Sequence, residues 1–79
     1  VKLLYFAAVR ELLGKSEEDL ELPDDVERLS QLISFLERER GLAGKLGGVR
    51  FAINESFAEP GDAIQANDVV AVIPPVAGG

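Results

Sequence analysis

Cysteine, histidine, methionine and tryptophan are all missing from this 79-residue chain, and each absence removes a class of function. Without cysteine there is neither a disulfide nor a thiolate nucleophile. Without histidine there is no imidazole base, and the usual zinc ligand sets are lost with the two together. No apolar run approaches the roughly 18 residues of a membrane-spanning helix, and the first residues form neither a basic leader nor a small-residue cleavage site, so a cytoplasmic location is expected. Bases are scarce as well. Fourteen acidic against eight basic side chains give a net charge of −6, which disfavours nucleic acid and suits a basic protein partner reached by electrostatic steering. A chain this short forms one domain and buries only about 60% of the surface its unfolded form exposes, leaving little room for a deep catalytic pocket.

What is present divides into strands, one clear helix and turns. Residues 2–9 and 69–73 are near-continuous apolar runs of the kind found in central strands covered on both faces. Residues 10–14 read as a turn leading to an edge strand over 17–22, where Asp19 and Glu21 alternate with Leu20 and Leu22. Asp24 and Glu27 suit the start of a helix over about 26–40, in which Val26, Leu29, Leu32, Ile33 and Leu36 form one apolar stripe. Gly41 ends it, and the loop 41–48 is pinned by Leu42 and Leu46. Residues 49–53 alternate as a strand, Asn54-Glu55 turns the chain, and 56–58 return. Pro60-Gly61-Asp62 and Ala66-Asn67-Asp68 are turn signals before the last strand. This order predicts an α+β fold of the β-grasp, or ubiquitin-like, kind: a mixed sheet of about five strands with one main helix on one face, over residues 1–73.

Alternation directs Leu3, Tyr5, Ala7, Phe51, Ile53, Val70 and Val72 toward the helix, and Lys2, Leu4, Phe6, Arg50, Ala52, Ala71 and Ile73 to the other side. One helix cannot cover both faces. A patch of Leu4, Phe6 and Ile73, extended by Phe57, is therefore a candidate protein interface, with coverage by loops or a second copy as the alternative.

No constellation of nucleophile and base is present. Ser16, Ser30, Ser34 and Ser56 have no histidine to activate them, and Glu17-Glu18-Asp19 and Asp24-Asp25 read as solvated faces. No calcium-loop or phosphate-loop spacing occurs. The chemistry is instead expected at the end of residues 74–79, Pro74-Pro75-Val76-Ala77-Gly78-Gly79. Two prolines hold the stem extended, and two glycines pass where other residues cannot. At about 3.3 Å per residue, the six residues reach roughly 20 Å into a partner. A carboxylate there is inert until another protein activates it, for example by adenylation, after which sulfur or an amine can attack the Gly79 carbonyl.

Residues 6–14 (Phe-Ala-Ala-Val-Arg-Glu-Leu-Leu-Gly), 49–54 ending in Asn, and 61–79 with its Pro-Pro-Val-x-Gly-Gly close resemble, end to end, the small subunits of molybdopterin synthase, which are ubiquitin-like sulfur carriers. The chain departs from that pattern at residues 63–67, a longer spacer between Gly61-Asp62 and Asp68-Val69. The resemblance implies that a ubiquitin-activating-like adenylyltransferase uses ATP to activate Gly79, that a thiocarboxylate replaces its carboxylate, and that the tail enters the large synthase subunit to donate sulfur to cyclic pyranopterin monophosphate. It implies that Ala77 and Gly78 thread the channel, that Pro74, Pro75 and Val76 direct the tail, and that Phe6, Arg10, Phe57 and Ile73 dock partners. The chain would then be a cosubstrate and a non-catalytic subunit, binding no cofactor or metal itself. Three alternatives stay open: a carrier for thiamine synthesis or another thiolation pathway, a ubiquitin-like modifier that forms isopeptide bonds, and a binding module with an inert tail.

Overall fold

The first and last strands of the sheet lie side by side and run parallel, which places both of them inside it and leaves the edges to shorter strands. The computed structural model describes residues 1–75. Among these, the elements in chain order are β1 (Lys2–Tyr5), α1 (Ala7–Leu13), β2 (Glu17–Asp19), α2 (Leu29–Glu39), β3 (Arg50–Ile53), β4 (Ser56–Ala58) and β5 (Val69–Ile73). The five-stranded sheet has the order β2-β1-β5-β3-β4, with every pairing antiparallel except β1 with β5. The mixed sheet expected from the sequence is the one observed.

The core lies between one sheet face and α2. Leu3, Tyr5, Phe51, Val70 and Val72 from the sheet meet Leu29, Leu32 and Leu36, and Leu42 closes the end of the helix as expected of the loop that follows. Truncating any of the three helix leucines to alanine costs on the order of 2–5 kcal/mol, because the surroundings collapse only partly into the space left.

Three expectations are corrected. The apolar run 2–9 is not one strand: it breaks at Phe6, and Ala7 to Leu13 form α1. Ala, Arg, Glu and Leu are strong helix formers, and Gly14, at φ 71, supplies the left-handed cap whose N–H returns to Arg10 O at 2.9 Å. Ala7 is consequently exposed and does not face α2. The edge strand stops at Asp19, with Leu20 and Leu22 half-buried beyond it.

Finally, α2 begins at Leu29 and not at Val26, and Asp24 does not cap it. The first N–H groups of the helix are already taken by the loop before β5: Leu29 N donates to Asp62 O at 2.9 Å and Ser30 N to Pro60 O at 2.8 Å. Gln31 Oε1 accepts from the backbone N–H groups of Glu27 and Arg28 at 2.7 and 2.9 Å. With those donors satisfied, an Asp cap has nothing left to do. The same contact explains the long spacer at 63–67: Ala63 bridges to Arg28, and Ile64 is buried in the core.

Candidate functional site

On the sheet face away from α2, the strand register lines up two rows of side chains. Leu4 pairs with Ala71, Ala71 with Ala52, and Ala52 with Phe57, so one apolar row crosses four strands. Ile73 pairs with Arg50, and continuing the β1/β5 register one residue past Tyr5↔Val72 brings Phe6 beside Ile73 in a second row. Phe6 has extended backbone (φ −121, ψ 153), so the alternation of β1 carries through it and its ring shares the face of Leu4. Phe6 is 44% exposed and Phe57 62%. Ala52, in the middle of the first row, is buried by its neighbours although it lies on the uncovered side.

Arg50 lies across this face with its guanidinium carbon 3.9 Å from the centre of the Phe57 ring. The ring's negative face attracts the cation, and the contact holds both side chains against the sheet at a cost in freedom that an unpaired exposed phenylalanine would otherwise lose only on docking. Arg10 is exposed on α1, one turn from Phe6, to whose carbonyl its backbone N–H is bonded at 3.3 Å.

The second row ends where the stem begins. Pro74 is half-buried and Pro75 exposed, immediately after Ile73. Neither proline can donate to β3, and the ladder stops there without leaving Val49 unpaired, because its N–H is bonded to Leu46 O at 3.1 Å. Continuing the antiparallel register from Arg50↔Ile73 by two residues sets Gly48 opposite Pro75. Gly48 has φ +75, and a Cβ placed there would lie 3.4 Å from Pro75 Cγ. Thus Phe6, Ile73, Pro74 and Pro75, named from the sequence, are brought to one margin of the sheet, with Phe57 on the same face at its far edge. The four other tail positions, Val76, Ala77, Gly78 and Gly79, lie outside the described residues.

At the opposite edge stands a polar cluster that the sequence did not announce. Glu18, expected on a solvated face, is held by three side chains through four hydrogen bonds. Arg40 Nε and Nη2 donate to its two oxygens at 2.9 and 3.0 Å, Lys15 Nζ donates at 3.0 Å, and the Tyr5 hydroxyl donates to Oε1. The Arg40 guanidinium, followed by the Tyr5 and Lys15 bonds, lowers the Glu18 carboxyl to about 2 against the opposing effect of burial. Burial first, and then the adjacent carboxylate, raises the Tyr5 phenol. This is structural chemistry: among the described residues no buried side-chain nitrogen or oxygen lacks a hydrogen-bond partner. Local sequence carries no signal for it, since Arg40 and Glu18 are 22 residues apart.

Among the described residues, no group of three or more acidic side chains could hold a metal ion, and no helix is long and apolar enough to cross a membrane. A groove of about 500 Å³ runs along α2 between Pro23 and Arg38 and includes none of the residues predicted to bind or react.

Comparison with known proteins gives a consistent picture. The ThiS family model matches residues 3–79. The human molybdopterin synthase sulfur carrier subunit is 34% identical over 82 residues, an alignment covering all of this chain and 93% of that protein. A Pyrococcus furiosus structure assigned as molybdopterin converting factor subunit 1 superposes with a TM-score of 0.78 at 31% identity, covering 95% of each chain. A protein–protein complex of subunits 1 and 2 of molybdopterin-converting factor from Helicobacter pylori contains a chain with the same fold, at a TM-score of 0.69 and 22% identity over 99% of this chain and 96% of that one.

Proposed function

Because this chain belongs to the ThiS family, with the β-grasp fold of its sulfur-carrier relatives, we propose that it carries sulfur for molybdopterin synthesis on the carbonyl of Gly79. The observation that carries the reading is that the family match runs through the Gly-Gly end while the fold presents an uncovered apolar face ending at the root of that tail. A carrier needs both parts: a surface by which larger proteins hold it, and an arm that delivers one reacting atom.

The chemistry follows from what a carboxylate lacks. Its carbonyl is a poor electrophile, so one oxygen of Gly79 attacks the α-phosphate of ATP on an adenylyltransferase, pyrophosphate leaves, and the carbonyl becomes a mixed anhydride. A sulfide-level nucleophile then adds to that carbonyl and expels AMP, leaving a thiocarboxylate. Its sulfur is a stronger nucleophile than the oxygen it replaced. The sulfur displaces an oxygen substituent from a carbon of the pterin side chain, that oxygen leaving with a proton; water then attacks the acyl carbon, the acyl C–S bond breaks with the sulfur staying on the pterin, and the carboxylate of Gly79 is regenerated. Two such cycles supply the two sulfurs of a dithiolene.

In this scheme the chain's own residues bind and aim. Phe6, Phe57 and Ile73 dock the large synthase subunit, the counterpart of the subunit 2 found with the Helicobacter pylori protein. Arg10 adds a polar contact, Pro74, Pro75 and Val76 set direction, and Ala77 and Gly78 thread the channel. The ATP belongs to the activating enzyme, and the chain acts as cosubstrate.

Co-expression with a large synthase subunit and an adenylyltransferase tests this. The expected product is a complex whose small chain has the intact mass of one oxygen replaced by sulfur. Recovery of the chain linked through Gly79 to lysines of other proteins, with no sulfur-bearing form, would overturn the proposal in favour of a modifier.

A further inference from the structure

The loop 41–48 contains four glycines, and three of them are left-handed: Gly41 at φ +68, Gly44 at φ +75 and Gly48 at φ +75. Gly41 and Gly44 face open space, with nothing within 4 Å of a Cβ placed on either. Gly48 differs. Its missing Cβ would meet the ring of Pro75, with Cγ at 3.4 Å and Cβ and Cδ at 3.9 Å. It is also the residue that the β3/β5 register sets opposite Pro75, two positions beyond the final Arg50↔Ile73 pair. We infer that Gly48 is a positioning residue for the tail: its bare α-carbon is the seat on which the Pro75 ring rests, and this contact fixes the direction in which the chain leaves the sheet. The inference rests on the reading of Gly79 as the reacting end.

Neither Pro74 nor Pro75 has an N–H to give to β3, and among the described residues no loop or turn backbone hydrogen bond reaches their carbonyls. Steric contact is what remains to hold the stem. A proline ring is rigid, and an atom at the Cβ position of residue 48 would stand 3.4–3.9 Å from three of its carbons, so whatever fills or vacates that position bears on the orientation of the peptide that follows as well as its location. Carbon–carbon separations of 3.5–4.0 Å are the most favourable, and those a Cβ would make run from 3.4 Å, just short of that range, to 3.9 Å. A side chain at residue 48 would have to continue past the Cβ into or around the ring. The consequence for transfer is angular. An arm of four further residues amplifies any tilt at Pro75 into a displacement of Gly79, and errors of about 1 Å at a reacting atom are enough to cost on the order of a hundredfold in rate.

Gly44 provides a matched control, since it has the same φ and nothing to hit. Asparagine tolerates a left-handed backbone better than other side-chain-bearing residues, so Gly48→Asn and Gly44→Asn carry a similar conformational cost. The expected result is that the two variants melt within a few degrees of each other, while kcat/KM for adenylation of the chain falls about tenfold for Gly48→Asn and less than twofold for Gly44→Asn. In the Pro75→Ala background, where there is no ring to seat, Gly48→Asn is expected to have no further effect on kcat/KM. Equal rates for the two asparagine variants, or an undiminished effect of Gly48→Asn in the Pro75→Ala chain, would overturn the inference.

A second readout needs no enzyme. In the free wild-type chain the Gly48 α-protons should show nuclear Overhauser contacts to the Pro75 ring, and these should be lost in Gly48→Asn but kept in Gly44→Asn. Their absence from the wild type would also overturn the seat. If the wild-type chain is not adenylated at all, it is the sulfur-carrier reading that fails, and the Overhauser contacts alone decide for or against the seat.

Discussion

Arg40 grips both oxygens of Glu18, Nε on Oε1 at 2.9 Å and Nη2 on Oε2 at 3.0 Å, and so ties the residue that ends α2 to the edge strand β2. The Glu18 side chain is 12% exposed, so its charge is poorly served by water and depends on these partners. Its carboxyl is lowered from an ordinary value of 4.5 to about 2. A group depressed on folding adds stability that is fully present above the unfolded value and disappears as pH falls through the folded one. Urea unfolding of the wild-type chain should therefore show stability declining between about pH 4.5 and pH 2. Glu18→Gln should be less stable than wild type by about 2 kcal/mol at pH 7 and should largely converge with it at pH 2. A decline just as steep in the glutamine variant would remove Glu18 as its source.

Asn54 closes the β3–β4 hairpin and also locks it to β5. Its Oδ1 accepts from Val69 N at 2.9 Å, its Nδ2 donates to Asp68 Oδ1 at 2.9 Å, and its φ of 50 suits a residue that tolerates the left-handed region. Asn54→Asp keeps the first bond and turns the second into a carboxylate facing a carboxylate. The expected loss is about 1–2 kcal/mol at pH 7, as thermal melts of the two chains would show. A variant as stable as wild type at pH 7 would argue against the Asp68 contact.

Phe57 and Ile73 separate docking from folding. Phe57 is mostly exposed, so Phe57→Ala should leave the melting temperature nearly unchanged while weakening the complex with the large subunit by about 2 kcal/mol, roughly thirtyfold in Kd. Ile73→Glu places a carboxylate across from Arg50, which limits the damage to the free domain while setting a charge in the docking face. Titration calorimetry with the large subunit, read beside a melt of each variant, checks both. Unfolding of isolated Ile73→Glu would mean that the face is part of the core.

Gly14→Ala isolates a purely conformational cost. The site has φ +71 and nothing within 4 Å of an added Cβ, so the loss should be about 1 kcal/mol from the left-handed backbone alone. Sulfur loading, followed by intact mass, should match wild type at temperatures where both are folded.

The parts of this fold that could be read beforehand are those written in periodicity. The stripe from Leu29 to Leu36 and the alternation of Val49, Phe51 and Ile53 with Arg50 and Ala52 placed α2 and β3, while the run 69–73, too short for a helix and preceded by turn residues, placed β5. Residues 2–9 misled because an unbroken apolar run is silent about period: helix and strand bury the same residues, and what separates them here is the break at Phe6 and the cap at Gly14. Asp24 misled for a different reason. Its suitability as a cap is local, but the helix starts five residues further on, where the N–H groups of Leu29 and Ser30 are taken by Asp62 and Pro60 from a distant part of the chain. The cation on Phe57, the cluster around Glu18 and the contact of Gly48 with Pro75 are likewise products of register, and register is settled only when strands meet. For Gly48 the sequence held a faint cue, a glycine two residues before one strand and a Pro-Pro pair directly after another.

The stem issues from β5, and β5 is flanked by a parallel neighbour on one side and an antiparallel neighbour on the other. A pull on the arm is thus borne lengthwise by two ladders in shear, with many bonds sharing the load at once, whereas a tail hung from an edge strand would peel away one bond at a time. On the proposed reading, a partner that takes hold of the chain beyond Pro75 can load the molecule repeatedly without unravelling the sheet.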